Sequence, residues 1–318
     1  MTDINNGNKP SAGTSCPVYQ RTLARTVRLS GTGVHSGKPV NLAIKPAPPN
    51  TGINFRRVDL PTSPLIKAIF SRVVDTSLAT VIGEGGCIVS TIEHLMACFS
   101  GLSIDNAICE LDAHEAPIMD GSGAEFARVI QSAGIVRQDA PRMYFIIKSP
   151  IKLMHSDKSV HLYPARERRI TCTIKFDHPA IAEQSMSLAL TEENFMERIC
   201  NARTFGFLHE VEYMQFFGLA KGGSLENSVV IDENGVINEE GLRHPDEFVR
   251  HKILDAIGDF SLLGMPILGH IVLYKSGHNF NHEFLKTFFA NKAAWETASL
   301  VTADITEADT ADPASTIG

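Results

Sequence analysis

The clearest pattern of apolar and polar positions lies in residues 248–259. His251 and Asp255 are four residues apart and project from one helix face, and Asp259 follows one turn later. This spacing is typical both of a solvent-exposed polar stripe and of two corners of a metal site. The opposite face is apolar and anchors the predicted helix; its residues are Val249, Ile253, Ala256, Ile257 and Phe260.

A second pattern occurs twice in the chain. Residues 35–42 and 155–162 share His, Ser, Lys, Val and Leu at the same relative positions, and each octet lies between strand-like segments. Later in each half a helix begins near a histidine, His94 or His251. Strands followed by helices, twice over, predict an α+β protein with an internal duplication. If the helices of the two halves pack together, both histidines converge on a cleft between them.

The domain boundary is predicted at residues 139–142, where turn-forming residues separate a helix at 124–133 from a new strand. The polar termini are expected to be tails. The predicted segments are a tail at 1–18, a first α+β domain at 19–139, a second at 140–302, and a tail at 303–318.

Composition and charge narrow the function classes. A net charge of -7 argues against a general nucleic-acid binder. The most apolar segment, residues 260–274, is interrupted by Gly264, Pro266 and His270, and residues 1–10 have no apolar core of a secretory signal. The six cysteines, Cys16 among them, have no CxxC spacing and are expected to be reduced and mostly buried. We therefore expect a soluble cytoplasmic protein.

Residues 90–97 contain the first candidate for chemistry. Ser90 and Glu93 have capping-box spacing, so Glu93 has a structural alternative as a helix cap. His94 has a similar alternative as a satisfied buried histidine. A carboxylate beside a ligating histidine is also what a metal hydrolase requires. His94, His251 and Asp255 would form a site of three protein ligands with a fourth position open to water.

Two further segments carry candidate groups. His278 is expected on a loop after a strand, where it is a candidate general acid or simply a surface histidine, and Asp259 would favour its protonated form. Thr204 is a candidate donor to an oxyanion, while Phe205 and Phe207 around it are by default core residues. No glycine-rich segment matches a P-loop or a dinucleotide fingerprint.

Taken together, six segments resemble the zinc-dependent UDP-3-O-acyl-N-acetylglucosamine deacetylases, over roughly residues 19–300. The resemblance implies two similar β-α-α-β sandwich domains with the active site between the facing helix layers. The segments are Gly-Thr-Gly-Val-His-Ser-Gly (31–37), Ser-Thr-Ile-Glu-His-Leu-Met-Ala (90–97), Pro-Ile-Met-Asp-Gly-Ser (117–122), Ala-Arg-Thr-Phe-Gly-Phe (202–207), Phe-Val-Arg-His-Lys-Ile-Leu-Asp-Ala-Ile-Gly-Asp (248–259) and Lys-Ser-Gly-His (275–278).

The resemblance also implies roles for individual residues. Zn²⁺ would be bound by His94, His251 and Asp255, and Fe²⁺ or Co²⁺ would fit the same ligands. The implied catalytic residues are Glu93 as base, Thr204 for the oxyanion, His278 as acid oriented by Asp259, and Lys252 beside the reacting groups. The implied substrate residues are Lys158 and Phe176 for UDP, His35, Phe205 and Phe207 near the substrate, and an acyl passage in an insertion at 208–230 with Val211, Met214, Leu219, Ala220, Val229 and Val230.

The implied reaction is hydrolysis of the N-acetyl group of UDP-3-O-acyl-N-acetylglucosamine, which releases acetate early in lipid A biosynthesis. The expected partner is this UDP-linked acylated glucosamine, with transient contact to the inner leaflet of the inner membrane and a monomeric protein. Two alternatives stay open. Another zinc amidase or peptidase would use the same ligands on a substrate without UDP, although no HExxH motif occurs. A non-enzymatic protein with structural zinc would need a fourth protein ligand.

Overall fold

The computed structural model describes residues 18–301, so the predicted tails and Cys16 lie outside the described residues. Strand segments alternate between buried and exposed side chains; in Pro39–Pro46, for example, Val40, Leu42 and Ile44 are buried. The elements of the first half are β1 Tyr19–Leu23, β2 Val27–Thr32, β3 Pro39–Pro46, β4 Ile53–Arg57, β5 Leu65–Lys67, β6 Val73–Asp75, β7 Val81–Glu84, β8 Cys87–Val89, α1 Glu93–Gly101, β9 Ala107–Leu111, α2 Ala124–Ser132 and β10 Ile135–Pro141.

The second half contains the longest helix of the described residues. A π-helical turn at Phe195–Ile199 and 3-10 turns at Phe70–Arg72 and Lys292–Ala294 complete the helical segments. The elements of this half are β11 Met143–Ile147, β12 Ile151–His155, β13 Lys158–Tyr163, β14 Arg168–Lys175, β15 Glu183–Ala189, α3 Glu192–Asn194, β16 Phe205–Phe207, α4 Leu208–Phe216, β17 Val229–Asp232, β18 Gly235–Val236, α5 Glu247–Ser261, β19 Ile267–Tyr274, α6 His278–Ala290 and β20 Trp295–Ser299.

Two large sheets have the same core connectivity. In the first the order is β2-β3-β9-β4-β5, with β4 parallel to β9 and the other pairs antiparallel. In the second, β12-β13-β19 continues through β14 to β15, with β14 parallel to β19 and the other pairs of this set antiparallel. β11 and β20 extend the second sheet. The matched octets begin their hairpins at equivalent places, between β2 and β3 and between β12 and β13. Mixed helices and mainly antiparallel sheets agree with the α+β prediction.

Helices α1 and α5 lie against each other in the core. α1 precedes β9 and α5 precedes β19, so each comes from an equivalent point of its half. Their contact depends on Gly258, because a Cβ there would lie 2.1 Å from the carbonyl oxygen of Glu93. Glycine lets the two backbones approach this closely. The close crossing brings the residues that follow Glu93 on α1 beside the His251 face of α5.

The remaining sheets are small, and several local predictions are confirmed. β1 pairs with β10, β6 and β8 flank β7, and β16 and β18 flank β17. The predicted helix at 124–133 is α2, and the five described cysteines are free and buried. The longest helix, α5, has 15 residues, and within residues 18–301 no helix is both long and apolar enough to cross a membrane.

Candidate metal site and acid–base groups

Three side chains from α1 and α5 form a buried cluster of metal-ligating groups. One ligand atom from each of His94, His251 and Asp255 lies within 4.8 Å of the others. The Nε2 atoms of His94 and His251 lie 3.6 and 3.3 Å from Oδ1 of Asp255. Tetrahedral ligands about 2.1 Å from a zinc ion lie roughly 3.4 Å apart. The spacing of these atoms therefore fits a single small metal ion.

The protonation states of the cluster also suit a metal. The Nδ1–H of His251 donates to the carbonyl of Ala202 at 3.0 Å, which turns the lone pair of Nε2 toward the cluster. Burial lowers the pKa of His94 and so favours its neutral, ligating form. Burial by itself would raise the pKa of Asp255, but His251, Lys252 and His94 together hold it well below its usual range. The neutral imidazole of His94 and the carboxylate of Asp255 are two donors of the cluster, and Nε2 of His251 is the third.

The position of α5 excludes the solvent-exposed alternative for its polar face. The exposed fractions of His251, Asp255 and Asp259 are 2%, 4% and 2%. Among the described residues, the cluster has three ligand side chains, one fewer than a closed structural zinc site needs. The three-ligand arrangement favours the open, catalytic type of metal site.

Glu93 is buried next to this cluster at the start of α1. The backbone N–H of Thr80 donates to its Oε2 at 3.0 Å. Burial raises the pKa of the Glu93 carboxyl to about 7; Asp255 and Asp259 reinforce this, and His278 opposes it. The capping-box alternative is wrong, because Ile92 is the N-cap and no side chain caps the helix. A carboxyl group that titrates near neutrality is suited to accept a proton.

His278 also lies beside the cluster and is held by Asp259. Its Nδ1 is 2.9 Å from Oδ2 of Asp259, and its Nε2 is 3.9 Å from Oδ2 of Asp255. Burial disfavours the protonated imidazole, but the charge and hydrogen bond of Asp259 outweigh burial and, with Asp255 and Glu93, raise the pKa of His278 to about 10. An imidazolium at neutral pH can donate a proton from Nε2.

The loop predicted for His278 is wrong, and the surface alternative with it. His278 is the first residue of α6, whose N-cap is Gly277, and its side chain is only 14% exposed. The helix follows from apolar residues at helical spacing that the sequence analysis did not use. These residues, all buried, are Phe280, Phe284, Leu285 and Phe288.

Thr204 and Lys252 lie beside the cluster. The backbone N–H of Thr204 donates to the Gly121 carbonyl at 2.8 Å, and its own carbonyl accepts from Val229 at 2.8 Å, which fixes the segment on both sides. The Nζ of Lys252 donates to Oδ2 of Asp255 at 3.0 Å and lies 5.5 Å from the ring centre of Phe205.

A buried ion pair supports the same segment from behind. Arg203 and Glu247 are 2% and 0% exposed. The Nε and backbone N–H of Arg203 donate to Oε1 of Glu247 at 3.0 and 2.9 Å, and the backbone N–H of Arg243 donates to Oε2 at 2.6 Å. This network ties residues 202–204 to the first turn of α5, four residues before His251.

The cluster opens into a cavity of about 1020 Å³. Predicted site residues that line it are Glu93, His94, His251, Asp255, Lys252, His278, Thr204, His35, Lys158, Phe205, Val211, Met214, Ala220 and Val230. Others do not line it: Asp259 is buried behind His278, Phe176 and Phe207 pack near Phe205 or each other, Val229 is fully buried in β17, and Leu219 is 38% exposed.

Three polar residues that hold the site were not predicted from the sequence. The Thr80 hydroxyl donates to Oδ1 of Asp259 at 2.6 Å, and Asn281 donates to its Oδ2 at 2.8 Å. Glu115 accepts from the backbone N–H of His35 at 2.8 Å. Asn281 lies one helical turn after His278, a detectable signal once α6 is recognised. Thr80 has no local signal, because only tertiary packing brings it to Asp259.

A buried cluster of two histidines and one carboxylate, with a carboxyl and an imidazolium beside it, is typical of metal-dependent hydrolases. The sequence profile of the family described as UDP-3-O-acyl N-acetylglycosamine deacetylase matches residues 20–290. That match spans most of the chain. The chain belongs to this family.

Close relatives carry the name UDP-3-O-acyl-N-acetylglucosamine deacetylase. The protein of Myxococcus xanthus is 50% identical over 277 residues, which cover 87% of this chain and 88% of the relative. The protein of Syntrophus aciditrophicus is 46% identical, with 89% and 90% covered. That of Syntrophotalea carbinolica is 48% identical, with 88% and 90% covered. The match thus extends over nearly the whole length of each relative.

Proposed function

We propose that this chain hydrolyses the N-acetyl group of UDP-3-O-acyl-N-acetylglucosamine, releases acetate, and so performs an early step of lipid A biosynthesis. Membership of the family and the names of relatives at 46–50% identity support the substrate. The main support for this reaction is that Glu93, His278 and the three-ligand cluster all line the same cavity. Amide hydrolysis needs a base, an acid and stabilisation of an oxyanion, and this cavity has a candidate for each.

We assign Zn²⁺ to His94, His251 and Asp255, while Fe²⁺ and Co²⁺ suit the same donors. The buried position, the 3.3 and 3.6 Å separations from Asp255, and the hydrogen bond on the far nitrogen of His251 support this assignment. When bound, the ion supplies Lewis-acid activation of the amide carbonyl and of the attacking water.

Glu93 acts as the base. Thr80 holds its Oε2, which leaves Oε1 available to take the proton of the attacking water. Burial raises the pKa of Glu93 to about 7. This supports the role, because a general base is most efficient when its pKa lies near the working pH. Glu93 then holds this proton while the tetrahedral oxyanion receives a hydrogen bond from the Thr204 hydroxyl.

His278 acts as the acid. Its Nδ1 is engaged by Asp259, so Nε2 is the atom that donates a proton to the departing amine. An amide nitrogen is a poor leaving group until it is protonated, and hydrolysis therefore stops without this step. Lys252 adds positive charge beside the reacting groups and balances Asp255.

The substrate extends along the cavity from the cluster. Lys158 on β13 and Phe205 line the cavity and would meet the UDP portion and sugar, and His35 would lie near the substrate. Phe176 packs beside Phe205 and Phe207 beside Phe176, so these two rings would join the UDP site only if a side chain moved on binding. The insertion at 208–230 would provide the acyl passage. The apolar wall made by α4, the segment after it and β17 supports this part of the proposal; its residues are Val211, Met214, Ala220 and Val230.

We further propose an internal duplication with domains at 19–139 and 140–302, which the shared strand connectivity of the two sheets supports. A monomer in the cytoplasm is the proposed working form. Transient contact with the inner leaflet of the inner membrane is supported by aromatic side chains at the end of α4. Tyr213, Phe216 and Phe217 are 67%, 84% and 61% exposed.

The proposal is tested by measuring acetate release from the UDP-linked acylated sugar, from the same sugar without UDP, and from the sugar without the acyl chain. We expect the complete substrate to be hydrolysed with the highest kcat/KM. The Glu93→Ala variant should retain its metal and lose activity by at least ~100-fold. Glu125→Ala, on the outer helix α2, is the matched control and should retain activity. Equal rates on the sugar without UDP would instead favour a general amidase.

A further inference from the structure

A second cavity of about 410 Å³ lies within the fold and shares no lining residue with the catalytic cavity. Both cavities use α1 and α5, but from different faces. Asp255 lines the catalytic cavity, whereas Ile257, two residues later, lines the second. On α1, likewise, His94 lines the catalytic cavity and Met96 lines the second. A volume of this size lies within the range of small-molecule sites, about 300–1,000 Å³.

The inner wall of this cavity is apolar. Met96 and Phe99 on α1 and Ile257 and Phe260 on α5 line it, and all four are buried. These side chains present carbon atoms and one thioether, with no hydrogen-bond donor among them. An aliphatic chain would replace water favourably along this wall.

Another part of the lining carries two guanidinium groups from the start of the second half. Arg142 is 7% exposed, and its Nε lies 2.8 Å from Oδ1 of Asp105. Even so, within residues 18–301 that Nε–H has no hydrogen-bond acceptor in suitable geometry. Arg168 donates from one terminal nitrogen to the hydroxyl of Ser100 at 3.1 Å, and no carboxylate of the described residues forms an ion pair with it. Arg142 is thus ion-paired with Asp105, whereas Arg168 has further N–H groups that no acceptor of the described residues engages.

The charges around the cavity leave an excess of cations. Burial lowers the pKa of Arg168 to about 10, and the charge of Arg142 adds to this effect, while Asp105 and Glu192 partly oppose it. Arg169 is compensated by Glu167, at 2.6 Å. The charged residues of the lining are Lys67, Arg142, Arg168 and Arg169 against Asp105.

We propose that this cavity is a second ligand site that binds an amphipathic monoanion, a carboxylate on an aliphatic chain, with the carboxylate between Arg168 and Arg142 and the chain along Met96, Phe99, Ile257 and Phe260. A carboxylate matches the fork of a guanidinium with two parallel hydrogen bonds. A divalent cation is excluded by the cationic lining. An inorganic anion would leave the apolar wall in contact with water, so the ligand needs both the carboxylate and the aliphatic chain.

The test is isothermal titration calorimetry of the full-length protein with octanoate, acetate and 1-octanol. We expect octanoate to bind, and acetate and 1-octanol, which each keep one part of the ligand, to bind at least tenfold more weakly. A hydrogen-bonded charge pair contributes enough that Arg168→Gln should weaken octanoate binding roughly 10- to 100-fold. Arg169→Gln is the matched control, because Glu167 already engages that guanidinium, and it should bind octanoate as the unmodified protein does.

A second variant keeps the proposal testable if Arg168→Gln does not fold. Ser100→Asp places a carboxylate beside Arg168, which remains in place, and should weaken octanoate binding by a similar factor through competition within the protein. Octanoate binding that is unchanged in both variants would place the ligand elsewhere, for example in the catalytic cavity, and would overturn the proposal. Absence of octanoate binding to the unmodified protein would overturn it as well. The measurement does not use activity, so its outcome is independent of the proposed reaction.

Discussion

Asp259 is the residue whose charge keeps His278 protonated, and its replacement by Asn gives the sharpest prediction. The carboxylate is 2% exposed and accepts hydrogen bonds from Thr80 at 2.6 Å, Asn281 at 2.8 Å and, at 2.9 Å, the Nδ1 of His278. Asn has nearly the same size but no charge. Its amide also presents hydrogens where the carboxylate presents only acceptors.

The magnitude follows from the pKa of His278, which is about 10 with Asp259 present. Loss of a contacting opposite charge lowers such a pKa by about 1–3 units, or roughly 1.4–4 kcal/mol. In the proposed mechanism the protonated imidazole is the active form, so we expect activity below this pKa and its loss as pH rises through it. With a fall of ~2 units, the protonated fraction at pH 9 drops from roughly nine-tenths to one-tenth, while at pH 7 it stays near nine-tenths.

The assay is the pH profile of kcat/KM for the unmodified protein and Asp259→Asn. A metal ion in the cluster displaces both limbs of the profile to lower pH, because positive charge disfavours the imidazolium and favours the Glu93 carboxylate. The difference between the two proteins is therefore the quantity to read. Thr80→Val is the control: it removes one hydrogen bond to Asp259 but keeps the charge, and should move the basic limb much less. A basic limb that stays in place in Asp259→Asn would refute the reasoning.

Three other predictions concern the supporting structure and the substrate. Glu247→Ala removes the buried partner of Arg203 and leaves only the exposed Glu240 to pair with it, so it should lower the free energy of unfolding by up to about 3–5 kcal/mol in chemical denaturation; Glu247→Gln should cost less. Gly258→Ala places a Cβ against the carbonyl of Glu93 and should cost about 1–3 kcal/mol and reduce kcat, whereas an unchanged thermal unfolding temperature would contradict the close crossing. Lys158→Ala should raise KM for the UDP-linked substrate more than it lowers kcat, and an equal loss on a substrate without UDP would exclude the nucleotide role.

The pH dependence of stability also follows from Glu247. Burial by itself would raise the pKa of this carboxyl, but the hydrogen bonds from Arg203 and from the backbone N–H of Arg243 outweigh burial and lower it. A group with a lowered folded-state pKa stabilises the protein above its unfolded pKa, and this contribution is lost as pH falls through the folded value. The free energy of unfolding should therefore fall less steeply with decreasing pH in Glu247→Gln than in the unmodified protein.

Local periodicity in the sequence was sufficient to predict the two helices that carry the candidate metal ligands. His251 and Asp255 project together from α5 because four residues make about one turn, and His94 lies in the first turn of α1, the helix at the equivalent point of the first half. The burial of both faces of α5 was not predictable in this way. It requires α1 on one side, and Gly258 permits that contact through the absence of a side chain.

Other parts of the site depend on contacts that leave no local pattern. Thr80 and Asp259 are 179 positions apart in the chain, yet their side chains are hydrogen-bonded. The second cavity likewise joins Arg142 and Arg168 of one half to Met96 of the other. His278 is a different case. Its helix was predictable from the apolar residues that follow, but the preceding Gly277 favoured a loop.

The central claim is a metal-dependent release of acetate, and the most direct test is that reaction before and after chelation. Purified protein is given UDP-3-O-acyl-N-acetylglucosamine, treated with a chelator, and then supplied again with Zn²⁺ while its fold is followed by circular dichroism. We predict acetate release that the chelator abolishes and Zn²⁺ restores, with the fold intact throughout. Release that persists without metal, or no release from a folded protein loaded with Zn²⁺, would contradict the claim.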